Sequence, residues 1–125
     1  MLRRHASRAR SVIAVTATLL IVGSPAVLQA ATAHASATTT VTVTALEFKF
    51  TLSKSSVKHG TVLFKVVNKG HIAHDFKIDG TKTPLIKPGK SSTLTVTFAK
   101  PGRYPYVCTV PGHAAAGMKG TLKVT

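Results

Sequence analysis

From Val41 onward the apolar residues of this chain recur at every second position, a period with which only extended backbone can bury one face. Val41 and Val43 alternate with threonines, and Leu46, Phe48, Phe50 and Leu52 alternate with Glu47, Lys49 and Thr51. The apolar phase changes between Ala45 and Leu46, which predicts a bulge or a strand that switches sheets. Val62, Phe64 and Val66 alternate next, then Phe76 and Ile78, then Leu94, Val96 and Phe98. Tyr104, Tyr106 and Cys108 share one face, and Leu122 with Val124 forms the last run. Turn-forming pairs separate the runs: His59-Gly60, Lys69-Gly70, Asp79-Gly80, Pro88-Gly89, Pro101-Gly102 and Pro111-Gly112. Short strands at such spacing predict an all-β sandwich or barrel.

The first residues read differently. Arg3, Arg4, Arg8 and Arg10 precede an uncharged apolar stretch, Ser11 to Gly23, and overlapping Ala-x-Ala triplets follow between Ala31 and Ala37. That order is the order of a secretory signal peptide. The apolar stretch is shorter than the ~20 residues a bilayer core demands, which favours cleavage over retention as an anchor. Arg3-Arg4 resembles a twin-arginine signal, but His5, Ala6 and Ser7 are not the apolar residues such a signal carries, so general secretion is expected. Ala30 to Thr39, rich in alanine, threonine and serine, reads as leader end and flexible arm. Residues 1–35 are therefore assigned to leader and arm, with cleavage between 30 and 37, and residues 36–125 to one folded domain. The expected destination is the periplasm, the exterior or the cell envelope.

Excluding the leader matters for charge. The chain carries a formal net charge of +14, four charges of which are the leader arginines, leaving +10 on the rest. Only Glu47, Asp75 and Asp79 are acidic. Such a domain is drawn to acidic protein partners and weakly to anionic membrane or cell-wall surfaces. Nucleic acid is not an expected partner, because the lysines stand singly along the strands and are not clustered with stacking aromatics. Cys108 is the sole cysteine. In an exported chain it has no partner for an internal disulfide, so it is free, intermolecular or bound to something.

Cys108-Thr-Val-Pro-Gly-His113-Ala-Ala-Ala-Gly-Met118 places a thiolate, an imidazole and a thioether on one loop, spaced C-x4-H-x4-M. Upstream stands Asn68-Lys-Gly-His71-Ile-Ala-His74-Asp75-Phe76. One cysteine, two histidines and a distant methionine make the donor set of a trigonal copper site with a weak axial sulfur. Thiolate favours copper, imidazole suits both Cu(I) and Cu(II), and a long thioether contact keeps the geometry between the preferences of the two. Strand parity puts His74 on the face of Phe76 and Ile78, and Cys108 on the face of the two tyrosines, so both point inward. Pro111-Gly112 supplies the turn that folds His113 and Met118 back over them.

These residues resemble the cupredoxins, with the C-x4-H-x4-M loop nearest to auracyanin-like and rusticyanin-like members and Asn68 to Phe76 matching the family's first-histidine region. The resemblance covers essentially everything after the leader. It implies a Greek-key sandwich of seven to eight strands, one type 1 copper, and electron shuttling without substrate turnover. Carried onto this chain, it implies His74, Cys108 and His113 as equatorial ligands and Met118 as the axial one, with the Ala73 carbonyl as a distant neighbour. The residue after the first histidine is often asparagine in the family and here is Asp75. It is expected to hydrogen-bond Thr109, bracing the thiolate loop.

His71 has the opposite strand parity to His74 and is expected to be solvated or to stabilise a turn; His59 is expected in an exposed loop. Ala114, Ala115 and Ala116 are read as a small apolar collar through which an electron leaves His113 towards a redox protein. A monomer is expected. The competing reading is copper trafficking or storage, although the chain past its leader has one methionine and no methionine- or histidine-rich tract. An enzyme is not expected, because no additional histidine cluster such as His-x-His provides a further copper site.

Overall fold

The structure is a computed structural model that describes residues 37–125 and Gly23. The leader and arm assigned to residues 1–35, with the cleavage region, otherwise lie outside the described residues. Thr39, the last residue read as arm, already belongs to the first strand.

Alternating valine and threonine make Thr39–Leu46 (β1) a strand whose Val41, Val43 and Ala45 are fully buried while Thr40 and Thr42 face solvent. Lys49–Leu52 (β2) pairs with it antiparallel, Leu46 opposite Lys49, so Glu47 and Phe48 form a two-residue turn. The phase change at Ala45 and Leu46 is thus a hairpin, and neither a bulge nor a change of sheet. Phe48 adopts φ 59°, a left-handed conformation that a bulky residue rarely takes. Leu46 and Phe48 consequently leave the buried face and are exposed.

Ser56–Val57 (β3), Gly60–Asn68 (β4), Lys77–Ile78 (β5), Thr81–Lys82 (β6), Ser91–Phe98 (β7), Gly102–Val107 (β8) and Lys119–Val124 (β9) complete the chain. One sheet has the order β2-β1-β4-β7, the other β3-β9-β8-β5-β6. The chain passes between sheets after β2, β3, β4, β6 and β7. Its neighbours β1 and β4, and β3 and β9, run parallel, which no hairpin can produce. The result is the all-β sandwich; the described residues form nine strands because β3 and β6, of two residues each, are too short to show a period in the sequence.

Val62, Phe64 and Val66 from β4 meet Leu94, Val96 and Phe98 from β7 in one continuous core with Ile78, Leu122 and Val124 of the other sheet. Phe76 is its hub, with Phe50, Phe64 and Tyr106 at ring-centroid distances of 5.2, 5.3 and 5.5 Å. Complete burial of such a ring stabilises the fold by about 1.5–3 kcal/mol. Because Phe76 follows His74 by two residues, that anchorage also fixes where the histidine can lie.

Candidate metal centre

Two arms of chain meet at one end of the sandwich. The first is the loop between β8 and β9. Their ladder ends at Val107 opposite Lys119, and Cys108 N–H donates to the Met118 carbonyl at 3.0 Å, extending the pairing by one step. Between them the backbone closes on itself: His113 N–H donates to Val110 O, Ala116 N–H to Gly112 O, and Met118 N–H to His113 O, at 3.1, 3.1 and 3.0 Å. Gly112 at φ 83° and Gly117 at φ 112° supply conformations that L side chains resist.

The second arm runs from Asn68 to Phe76 and is irregular. Parity predicts a strand through His74, but His74 makes only an isolated bridge to Ile86, through bonds of 3.1 and 2.7 Å, and β5 begins at Lys77. Alternation fails here, since His74, Asp75 and Phe76 are all buried. Side-chain hydrogen bonds take the place of a ladder. Buried Asn68 donates from Nδ2 to the carbonyls of Ile72 and Ile86, each at 2.8 Å, and accepts from Gly70 N–H at 2.9 Å. At the end of the arm, Phe76 N–H donates to Thr83 Oγ1 at 3.1 Å.

The arms bring His74 Nδ1 to 3.1 Å from His113 Nδ1, and His113 Nδ1 to 3.5 Å from Cys108 Sγ. These three donor atoms all lie within 4.8 Å of one another, on side chains that are all buried. Met118, fully buried, enters beside them through its backbone bonds to Cys108 and His113. Two imidazole nitrogens at such a distance either share one proton or offer both lone pairs to a cation. Burial, and then the neighbouring His113, hold His74 below the ordinary histidine pKa, which keeps its lone pair available. Burial pushes the Cys108 thiol above its ordinary value, so a metal binding there displaces a proton from it. Nitrogen, nitrogen and soft sulfur at these distances, with a thioether adjoining, fit one type 1 copper ion.

Charged neighbours hold the arms together. Asp75 accepts from Thr109 N–H at 2.6 Å through Oδ1 and from the Thr109 hydroxyl through Oδ2, tying the histidine arm to the cysteine loop. Lys82 Nζ lies 3.7 Å from Asp75 Oδ2, offsetting the charge of this buried carboxylate. The sequence reading passed over Glu47 and Phe48. Glu47 Oε1 accepts from the backbone N–H groups of His71 and, at 3.2 Å, Ile72. The His71 amide accordingly holds its carboxyl below the ordinary value. Phe48 packs edge-on against His113, centroids 5.3 Å apart. The only signal for either residue was their place at the phase change. His71 and His59 are exposed, and His59 Nδ1 lies 3.1 Å from the Thr125 carbonyl.

His113, 8% exposed, reaches the surface among apolar groups. Ala114 is half-buried, while Ala115, Ala116 and Phe48 are exposed. Ile72, Pro84, Leu85, Val110 and Pro111 line an adjoining groove of about 570 Å³ that also reaches His113. Ala73 lines it too and is half-buried.

Residues 12–124 match the Cupredoxin-like domain family. Auracyanin-B of Chloroflexus aurantiacus is 51% identical over 43 residues, which are 34% of this chain and 18% of that protein. The copper-resistant cuproprotein CopI of Pseudomonas aeruginosa is 48% identical over 48 residues, 38% of this chain and 26% of CopI. The matched segments thus span about a fifth to a quarter of these relatives' lengths. In three dimensions, the crystal structure of dithionite-reduced auracyanin from the photosynthetic bacterium Roseiflexus castenholzii superposes with a TM-score of 0.61 at 24% identity. That superposition covers 72% of this chain and 99% of the auracyanin.

Proposed function

This chain belongs to the cupredoxin-like family, and from that premise we propose that it is an exported carrier of single electrons whose one copper is held by His74, Cys108, His113 and Met118. The observation that carries the reading is the convergence of two imidazole Nδ1 atoms and one cysteine sulfur, within 4.8 Å, on buried side chains. Copper held by these four residues would supply one-electron chemistry between Cu(I) and Cu(II). The chain's own contribution is constancy. Backbone bonds hold Cys108, His113 and Met118 on one loop, and the Asp75–Thr109 pair ties that loop to the arm of His74. Donors that cannot move when the charge on the metal changes add little reorganisation to each transfer. In this reading the Ala73 carbonyl would lie at a distance from the bound ion without holding it.

His113 is the exit. Its ring edge meets solvent inside a collar formed by Ala114, Ala115 and Ala116 with Phe48, a dry surface suited to brief encounters. Around it the positive charge of the domain steers a redox protein with an acidic docking face, at a rate that falls with salt. Export rests on the arginine-led apolar leader of residues 1–35, and the domain of residues 36–125 acts as a monomer. No bond in a substrate is made or broken.

Adding Cu(II) to the leaderless domain tests the site directly. An intense thiolate-to-copper absorption band and a small copper hyperfine splitting are expected, and Cys108→Ser abolishes both. A colourless complex indifferent to Cys108 would overturn the ligand assignment. The match to CopI, a copper-resistance protein by name, favours a second reading in which the same site sequesters copper. A carrier passes electrons rapidly while keeping its copper; a sequestering protein yields copper to competing chelators or to a partner without rapid electron exchange.

A further inference from the structure

Of the chain's three acidic residues, Glu47 alone faces a histidine of the metal centre. Once His74 turns Nδ1 towards the metal, its proton must reside on Nε2. That atom is fully buried, and it is the one buried side-chain polar atom among the described residues with no hydrogen-bond partner. An N–H in that position without an acceptor bears its desolvation cost with nothing to offset it. Glu47 Oε1 lies 3.9 Å away, beyond hydrogen-bond length but within reach of a small ring rotation.

The surroundings form a seat for this carboxylate. The β1–β2 turn, with Phe48 in its left-handed conformation, projects Glu47 over the 70–72 segment, where the amides of His71 and Ile72 both donate to Oε1. Gly70 completes it. A Cβ at Gly70 would overlap the Glu47 carboxylate, although the φ of Gly70 is one that any residue can adopt. The glycine thus leaves room for the carboxylate, and any side chain there would push it aside; the role is clearance and not backbone freedom.

Resting on the copper reading above, we infer that Glu47 is a positioning residue for the metal centre: its carboxylate accepts the His74 Nε2–H, fixes the tautomer that presents Nδ1, and sets a negative charge one imidazole away from the copper. Metal-bound histidines are oriented by such partners on their other nitrogen. A carboxylate there makes the imidazole a stronger donor and stabilises Cu(II) more than Cu(I).

The copper-loaded leaderless domain and two variants test this. Glu47→Gln keeps an acceptor for the backbone amides and removes the charge. Gly70→Ala keeps the charge and displaces it. Both are expected to retain the blue band and to weaken the preference for Cu(II) over Cu(I) by about tenfold, a potential rise of about 59 mV for one electron. In the diamagnetic Cu(I) form, the His74 Nε2–H signal, followed by NMR, is expected to exchange with solvent about tenfold faster in both variants than in the parent. Blue variants with the parent's potential and exchange rate would overturn the role of Glu47 and leave the copper reading standing. A parent protein that never turns blue would overturn that reading instead.

Discussion

The two arms of the metal centre are held by different means. Between Cys108 and Met118 the backbone bonds to itself, and the three alanines Ala114, Ala115 and Ala116, half-buried or exposed, carry no polar group to fasten it. Between Asn68 and Phe76 the backbone has no ladder, and the side chains of Asn68, Asp75 and Glu47 do the fastening. A loop closed by its main chain tolerates most side-chain changes. An irregular arm fastened by buried polar groups does not, because removing one partner leaves the other desolvated and unpaired. The difference also separates duties: the first arm is free to present an apolar surface, while the second sets the environment of His74.

Asn68→Ala offers the most severe test of this contrast. It removes three hydrogen bonds in a fully buried position and is expected to destabilise the domain by about 2–4 kcal/mol in urea unfolding. A loss below about 1 kcal/mol would mean the arm does not depend on it. Asp75→Ala comes next. It severs the side-chain tie between the arm and Thr109, and is expected to cost about 1–3 kcal/mol with a broadened or shifted blue band. An unchanged spectrum and stability would show that the loop keeps its place without that tie. Ala115→Glu should be the mildest for the fold, within about 0.5 kcal/mol of the parent. Its effect is expected in function: electron self-exchange measured by NMR at high salt should slow by about tenfold, because the exit surface then carries a hydrated charge. An unaltered rate would remove Ala115 from the exit.

Where a feature depended on short-range pattern, the sequence disclosed it. Alternation from Val41 to Val124 was enough for an all-β sandwich. The spacing of Cys108, His113 and Met118 on a turn with Pro111-Gly112 was enough to group them, since residues so close in the chain have few ways to lie apart. His74 was legible only through its chemistry. The parity used to aim it assumed a strand that is absent, and burial of Asp75 beside it breaks the alternation. The hairpin at Glu47 and Phe48 is not legible in the sequence, because a phase change looks alike whether it comes from a bulge or from a turn.

By itself, then, the sequence determined the class of fold, the donor types and the copper they suit, because strand period and ligand softness are properties of residues and their near neighbours. Only the tertiary structure decided that Asn68 clasps the second arm, that Phe48 packs against His113, and that Glu47 sits beside His74. Those contacts join residues about 20 to 65 positions apart, and their existence depends on how two sheets and their crossovers pack, which no local pattern encodes.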